Sequence, residues 1–114
     1  MENLLIERIQ NALILRSSGF ITYESISTIK YQIDEALSSV RPALVVWDLS
    51  GVTFIDSSGI GLLLACNTNF HGIGLHFHIY RPSEEVKRIL SIVKMKDYFS
   101  IIEEETELMM ILPD

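Results

Sequence analysis

Asp56, Ser57 and Ser58 stand in a row, followed by Gly59, between a β-rich apolar run that ends near Leu49 and a second apolar run that begins at Ile60. A carboxylate and two hydroxyls are placed where a strand gives way to a helix. At such a junction free backbone N–H groups and the helix dipole favour an added anion. A serine there is either a plain cap or a switch that accepts phosphate. Asp and Ser are preferred N-caps, so a cap alone accounts for one of them. Three capping-type residues in succession exceed that need. The helix that follows is apolar on two sides, with Ile60, Leu63, Leu64 and Asn67 on one face and Leu62, Ala65, Cys66 and Asn69 on another. An exposed second apolar face beside a polar cap predicts a docking surface over residues 57–66. The alternative is that the sheet and a neighbouring helix bury both faces.

Other chemistries fail on the same residues. A dinucleotide fingerprint needs a third glycine, but Gly59-Ile60-Gly61 runs on to Leu64. The nucleophile-elbow pattern fails because Ile55 replaces its first glycine. Asp48 and Asp56 each resemble a phospho-accepting aspartate, yet the paired acids and the late lysine of a receiver domain are missing. His76 and His78 share a strand face, with His71 nearby, and no carboxylate or cysteine set completes a metal site. Neither a metal nor any other cofactor is expected, and no enzymatic activity.

The elements that must hold this junction follow from the pattern. Residues 3–9 and 12–17 read as strands joined by a turn at Gln10-Asn11, with Gly19 breaking the pattern. Ile26, Ile29, Ile33, Leu37 and Val40 recur at helical spacing, with Thr22 or Ser25 as cap and Arg41-Pro42 as the stop. Residues 43–49 form an apolar strand buried on both faces. A helix covers 57–70, and Leu75 to Tyr80 is the next strand. Ser83 caps a helix carrying Val86, Ile89, Leu90 and Val93, closed by Lys94 and Lys96, with Glu84 and Glu85 in its first turn. Phe99 to Ile102 is a last strand, and 104–111 a short helix. The order predicts an α/β fold with a mixed sheet: an antiparallel first strand, the rest largely parallel, and about four covering helices.

The chain has 114 residues, read as one domain over 1–114. Its net charge of −6 argues against nucleic acid. No apolar run reaches membrane-spanning length, the start lacks a basic leader, and the single cysteine cannot close an internal disulfide. A cytoplasmic protein is expected. Its 48% apolar content allows a homodimer.

The run Asp48-Leu49-Ser50-Gly51-Val52-Thr53-Phe54-Ile55-Asp56-Ser57-Ser58-Gly59-Ile60-Gly61-Leu62-Leu63-Leu64 closely resembles the signature of STAS domains, and among these the bacterial anti-sigma factor antagonists. The resemblance extends in element order over essentially the whole chain. It implies a small non-enzymatic regulator that binds an anti-sigma factor acting also as a serine kinase. It implies phosphorylation of the serine after the motif aspartate, Ser57, reversed by a serine phosphatase. Asp56, Ser58, Gly59, Ile60, Gly61, Leu62 and Cys66 then belong to the partner-binding region. Thr22 joins them from the loop before the first helix, where the family's Gly-Glu-Leu-Asp is replaced by Gly19-Phe20-Ile21-Thr22. Other STAS domains serve as subunits of lipid-transport or signalling complexes without a phosphoserine, and that remains the alternative role.

Overall fold

The computed structural model describes residues 3–39 and 41–112. Strands β1 (Asn3–Ile9) and β2 (Ala12–Ile21) form a hairpin whose turn places Gln10 at φ 52°. Helix α1 (Tyr23–Ser39) leads to β3 (Leu44–Ile55), and α2 (Ser57–Gly72) leads to β4 (His76–Tyr80). Helix α3 (Glu84–Ile92) and a 3-10 turn (Lys96–Tyr98) precede the two-residue β5 (Ile101–Ile102), and α4 (Glu105–Ile111) closes the chain. Val40, expected in the apolar stripe of α1, lies outside the described residues.

The five strands lie side by side in sequence order, with β1 antiparallel to β2 and every later pair parallel. Crossovers of one hand between successive parallel strands carry the intervening helices to one face. Leu13, Leu15, Val45, Trp47, Leu49, Phe77 and Ile79 point to that face. They form one core with Ile29 and Ile33 of α1, Leu63 and Phe70 of α2, and Val86 and Leu90 of α3. The alternate residues Ala12, Ile14, Leu44, Val46, Tyr80 and Ile102 form a second core, capped by Leu108 and Ile111 of α4. Strand β3 is therefore buried on both faces along its first half, as its unbroken apolar run predicts. Trp47 is fully buried and donates its indole N–H to Ser17 Oγ at 2.8 Å.

Two strands run further than the sequence pattern suggests. The expected end of β2 at residue 17 and of β3 at Leu49 are both wrong: the strands continue together to Ile21 and Ile55. Ser50 and Gly51 resemble loop residues, but they are paired, with Gly51 opposite Ser18 and Val52 opposite Gly19. Gly19 does not end β2. It sits at φ 80° between two register shifts, and so bends the strand without releasing it. This extension carries the β2–α1 and β3–α2 loops to the same end of the sheet, side by side.

Candidate functional site

Asp56 is the N-cap of α2, in extended backbone conformation. Its Oδ1 accepts the N–H of Gly59 at 3.0 Å, the expected cap bond. Its Oδ2 accepts the N–H of Tyr23, the first residue of α1, at 3.1 Å. Its own N–H donates to the carbonyl of Ile21 at 3.2 Å. One half-buried carboxylate thus caps two helices and ties the β2–α1 loop to the start of α2. The two bonds to the carboxylate have a charged acceptor, the stronger class of hydrogen bond.

Neither Thr22 nor Ser25 caps α1 in the way expected. Ser25 Oγ instead reaches back to the N–H of Thr22 at 3.0 Å, while the Thr22 hydroxyl donates to Glu24. The cap for Tyr23 comes from a residue 33 positions away in the chain. No local pattern encodes that. The only hint in the sequence is the surplus of capping residues at 56–58, one of which serves the other helix.

Gly59 fixes how closely α2 approaches the sheet. A Cβ at this position would lie 2.5 Å from Ile55 Cγ1 and 2.7 Å from the Ile21 carbonyl oxygen. Gly61, two residues on and on the opposite side of the helix, faces open space. Ser57 is exposed at the first helical position, and Ser58 is half-buried at the second. The first turn of α2 carries no acidic residue, so its N-terminal amides keep room for a negative charge.

The expectation of an exposed second apolar face on α2 is corrected. Leu62 and Cys66 are buried, as are Ile60 and Leu63 on the sheet side. Helix α1 covers the second face, so its residues serve the core. What α2 shows outward is a strip of small and polar residues: Ser57, Gly61, Ala65, Thr68 and Asn69. Between this strip and α1 runs an open groove of about 540 Å³, lined by Tyr23, Ser27, Lys30, Ser58, Gly61 and Ala65. Of the sequence-predicted residues, Asp56, Ser57, Ser58, Gly61 and Thr22 thus gather at one end of the α1–α2 pair. Gly59, Ile60, Leu62 and Cys66 lie beneath it as support. Burial, with the nearby charge of Asp34, pushes the Cys66 thiol up to about 12, so it stays protonated.

The other candidate groups have different occupations. Asp48 accepts both the N–H and the hydroxyl of Ser50, at 2.9 and 2.7 Å, and faces Arg16 across the sheet. His78 Nδ1 pairs with Ser100 Oγ at 2.7 Å. Burial, then the neighbouring His76 and His71, hold the His78 imidazole below its ordinary value. Among the described residues no group of three or more His, Cys, Asp or Glu is placed to hold a metal. No described helix is long and apolar enough to cross a membrane.

Comparison with known proteins bears on this arrangement. The model of the STAS domain family matches residues 3–108. The chain is 22% identical over 80 residues to an anti-sigma F factor antagonist of Lysinibacillus sphaericus, covering 70% of this chain and 68% of the relative. Its fold matches that of an anti-sigma factor antagonist from Mycobacterium paratuberculosis with a TM-score of 0.84 at 19% identity, over 100% of this chain and 96% of that one. It also matches the phosphorylated form of the Bacillus cell-fate determinant SpoIIAA, with a TM-score of 0.73 at 17% identity, over 96% of this chain and 100% of that one.

Proposed function

Since the chain belongs to the STAS domain family, we propose that it works as an anti-sigma factor antagonist, a non-enzymatic binding module switched by phosphate on Ser57. Its partner is an anti-sigma factor that is also a serine kinase, and a serine phosphatase restores the unmodified form. Both partners place it in the cytoplasm. It needs no cofactor, and one domain over 1–114 suffices. The observation that carries this reading is the start of α2. An exposed Ser57 stands at the first helical position of a turn without acids, beside a carboxylate already committed to two amides.

The physics of the switch follows from that placement. Phosphate on Ser57 adds roughly −1.5 to −2 charges. The open amides of the first turn offset part of this, so the domain stays folded. A partner seated on Ser57, Gly61 and the groove against α1 would have to desolvate a dianion, and binding weakens. Asp56, Ser58, Gly61 and Thr22 shape the contact. Gly59, Ile60, Leu62 and Cys66 hold α2 in position beneath it.

The test is the intact mass of the protein from its native cells. A gain of one phosphate that vanishes in Ser57→Ala supports the switch. Absence of that gain under growth and starvation alike leaves Ser57 a plain cap, and favours a STAS subunit of a transport or signalling complex. A Ser57→Asp variant that binds the anti-sigma factor as tightly as the unmodified protein would also overturn the reading.

A further inference from the structure

The two edges of the sheet are finished differently. At one edge β5 is two residues long and offers little to pair with. At the other, β1 presents seven residues that pair with β2 without a register shift, and it holds no lysine or proline to deter another strand. Ile9 and Ala12 close a two-residue turn, so they and every second pair from them exchange hydrogen bonds: Glu7 with Ile14, and Leu5 with Arg16. The backbone N–H and C=O groups of Leu4, Ile6 and Arg8 therefore point away from β2, towards the open edge. The side chains of Leu4 and Ile6 pack into the core beneath the helices, and Leu5, on the other face, is 70% exposed.

The residues of β1 select the strand that fits there. A second copy, related by a two-fold axis normal to the sheet, brings its own β1 antiparallel to the first and keeps all helices on one side. A residue then meets only counterparts of its own face. Centred on Leu5, this pairing sets Leu5 against Leu5, Leu4 against Ile6 and Asn3 against Glu7. Apolar meets apolar and polar meets polar throughout. A centre at Ile6 would set Leu4 against Arg8 and Leu5 against Glu7. A centre at Glu7 would oppose two carboxylates, and one at Leu4 would pair only residues 3–5 of the described strand. With Leu5 at the axis, the free groups of Leu4 and Ile6 supply about four bonds between the copies. The nearby charges do not oppose it. Glu7 is paired with Arg16, and Arg8 turns back to the Ala36 carbonyl at 2.9 Å. The two copies of Glu7 stand about 14 Å apart along the strands.

We infer that the protein forms a two-fold dimer in which β1 pairs antiparallel with β1 of a second copy about Leu5, joining the two sheets into one. The contact is small, so association is weak and follows protein concentration.

Sedimentation velocity over a concentration series tests the dimer, and cysteine cross-linking tests its register. The full chain should pass from monomer to dimer between micromolar and millimolar concentration. Leu5→Lys sets two cations against each other at the axis and should weaken the dimer about tenfold or more, while Leu5→Val should keep it. Leu5 is exposed, so both variants should fold, and a dispersed NMR spectrum checks this. Under mild oxidation Leu5→Cys should link two copies, because side chains come closest at a pair without hydrogen bonds. Glu7→Cys should not. Cys66 is buried and its thiol stays protonated, so it does not compete. The inference is overturned by a chain that stays monomeric throughout the series, by a dimer that Leu5→Lys leaves intact, or by linkage of Glu7→Cys as readily as Leu5→Cys. None of these outcomes involves Ser57 or an anti-sigma factor, so failure here is distinct from failure of the switch.

Discussion

Helices α2 and α3 both begin where a parallel strand ends, yet the two junctions are built differently. At α3, Ser83 caps its own helix, taking the N–H of Val86 at 3.2 Å, and Glu84 and Glu85 fill the first turn with negative charge. Arg88 binds back to Glu85 and Lys87 to Glu84. Every requirement is met within six residues, as in an ordinary helix start. At α2 the cap serves two helices, the first turn has no acid, and the third helical position is a glycine pressed against the sheet. The α3 start is optimised for its own helix. The α2 start is held from outside by β2 and α1, and presents a bare serine. The proposed function requires this difference, since a phosphate on Ser57 needs a first position of α2 that no acid already fills.

Substitutions at the matched third helical positions test this contrast most severely. Gly59→Ala forces the helix or Ile55 to move, because both 2.5 Å and 2.7 Å are closer than any Cβ contact allows. A loss of about 3 kcal/mol in urea denaturation is expected. Val86 occupies the equivalent place in α3 and is fully buried. Val86→Ala removes volume and should lose about 2 kcal/mol through the cavity left behind. Gly61→Ala meets nothing and should be neutral or gain up to about 1 kcal/mol. Should Gly59→Ala match Gly61→Ala, α2 is not pressed on the sheet and the comparison breaks.

The caps give the next largest effect. Asp56→Ala leaves the amides of Gly59 and Tyr23 without their carboxylate and should lose about 2–3 kcal/mol, whereas Ser83→Ala should lose about 1 kcal/mol. Hydrogen exchange separates the two. Asp56→Ala should speed exchange in the first turns of both α1 and α2, while Ser83→Ala should affect α3 alone. Protection of Tyr23 and its neighbours unchanged in Asp56→Ala would show that the second bond contributes nothing.

The limits of the sequence lie in the same places. The strand–helix alternation, the antiparallel first strand, the Ser83 helix start and the motif itself are local or periodic signals, and they predict the sheet and its helices. The unexpected half of β3 is a tertiary effect: Ser50 and Gly51 enter the sheet because β2 runs alongside, bent at Gly19. The burial of Leu62 and Cys66 depends on where α1 lies, and helical spacing cannot say whether a second apolar face meets solvent or another helix. The double role of Asp56 links positions 33 apart, beyond any capping pattern. The exposure of Phe20 and Phe54 likewise depends on tertiary placement, because α4 packs over the other half of the sheet, against Leu44 and Val46.

The smallest expected effect addresses the charge left out of α2. A negative side chain in a first turn gains about 0.5 kcal/mol from the helix dipole. In α3 that gain is already present, so Glu84→Gln should lose about 0.5 kcal/mol at low ionic strength and nothing at high salt. In α2 the position is vacant, but Asp56 stands next to it. Ser57→Glu therefore sets dipole attraction against repulsion by a neighbouring carboxylate, and stability should change by less than about 0.5 kcal/mol. A fall of more than about 1 kcal/mol would mean that repulsion dominates, and that phosphate on Ser57 acts by disrupting the Asp56 cap instead of by altering the surface. Thermal denaturation of the two variants at two salt concentrations distinguishes these cases. A Ser57→Glu domain that keeps its stability while partner affinity falls locates the switch at the surface of α2, which is the function its unfilled first turn permits and the filled first turn of α3 does not.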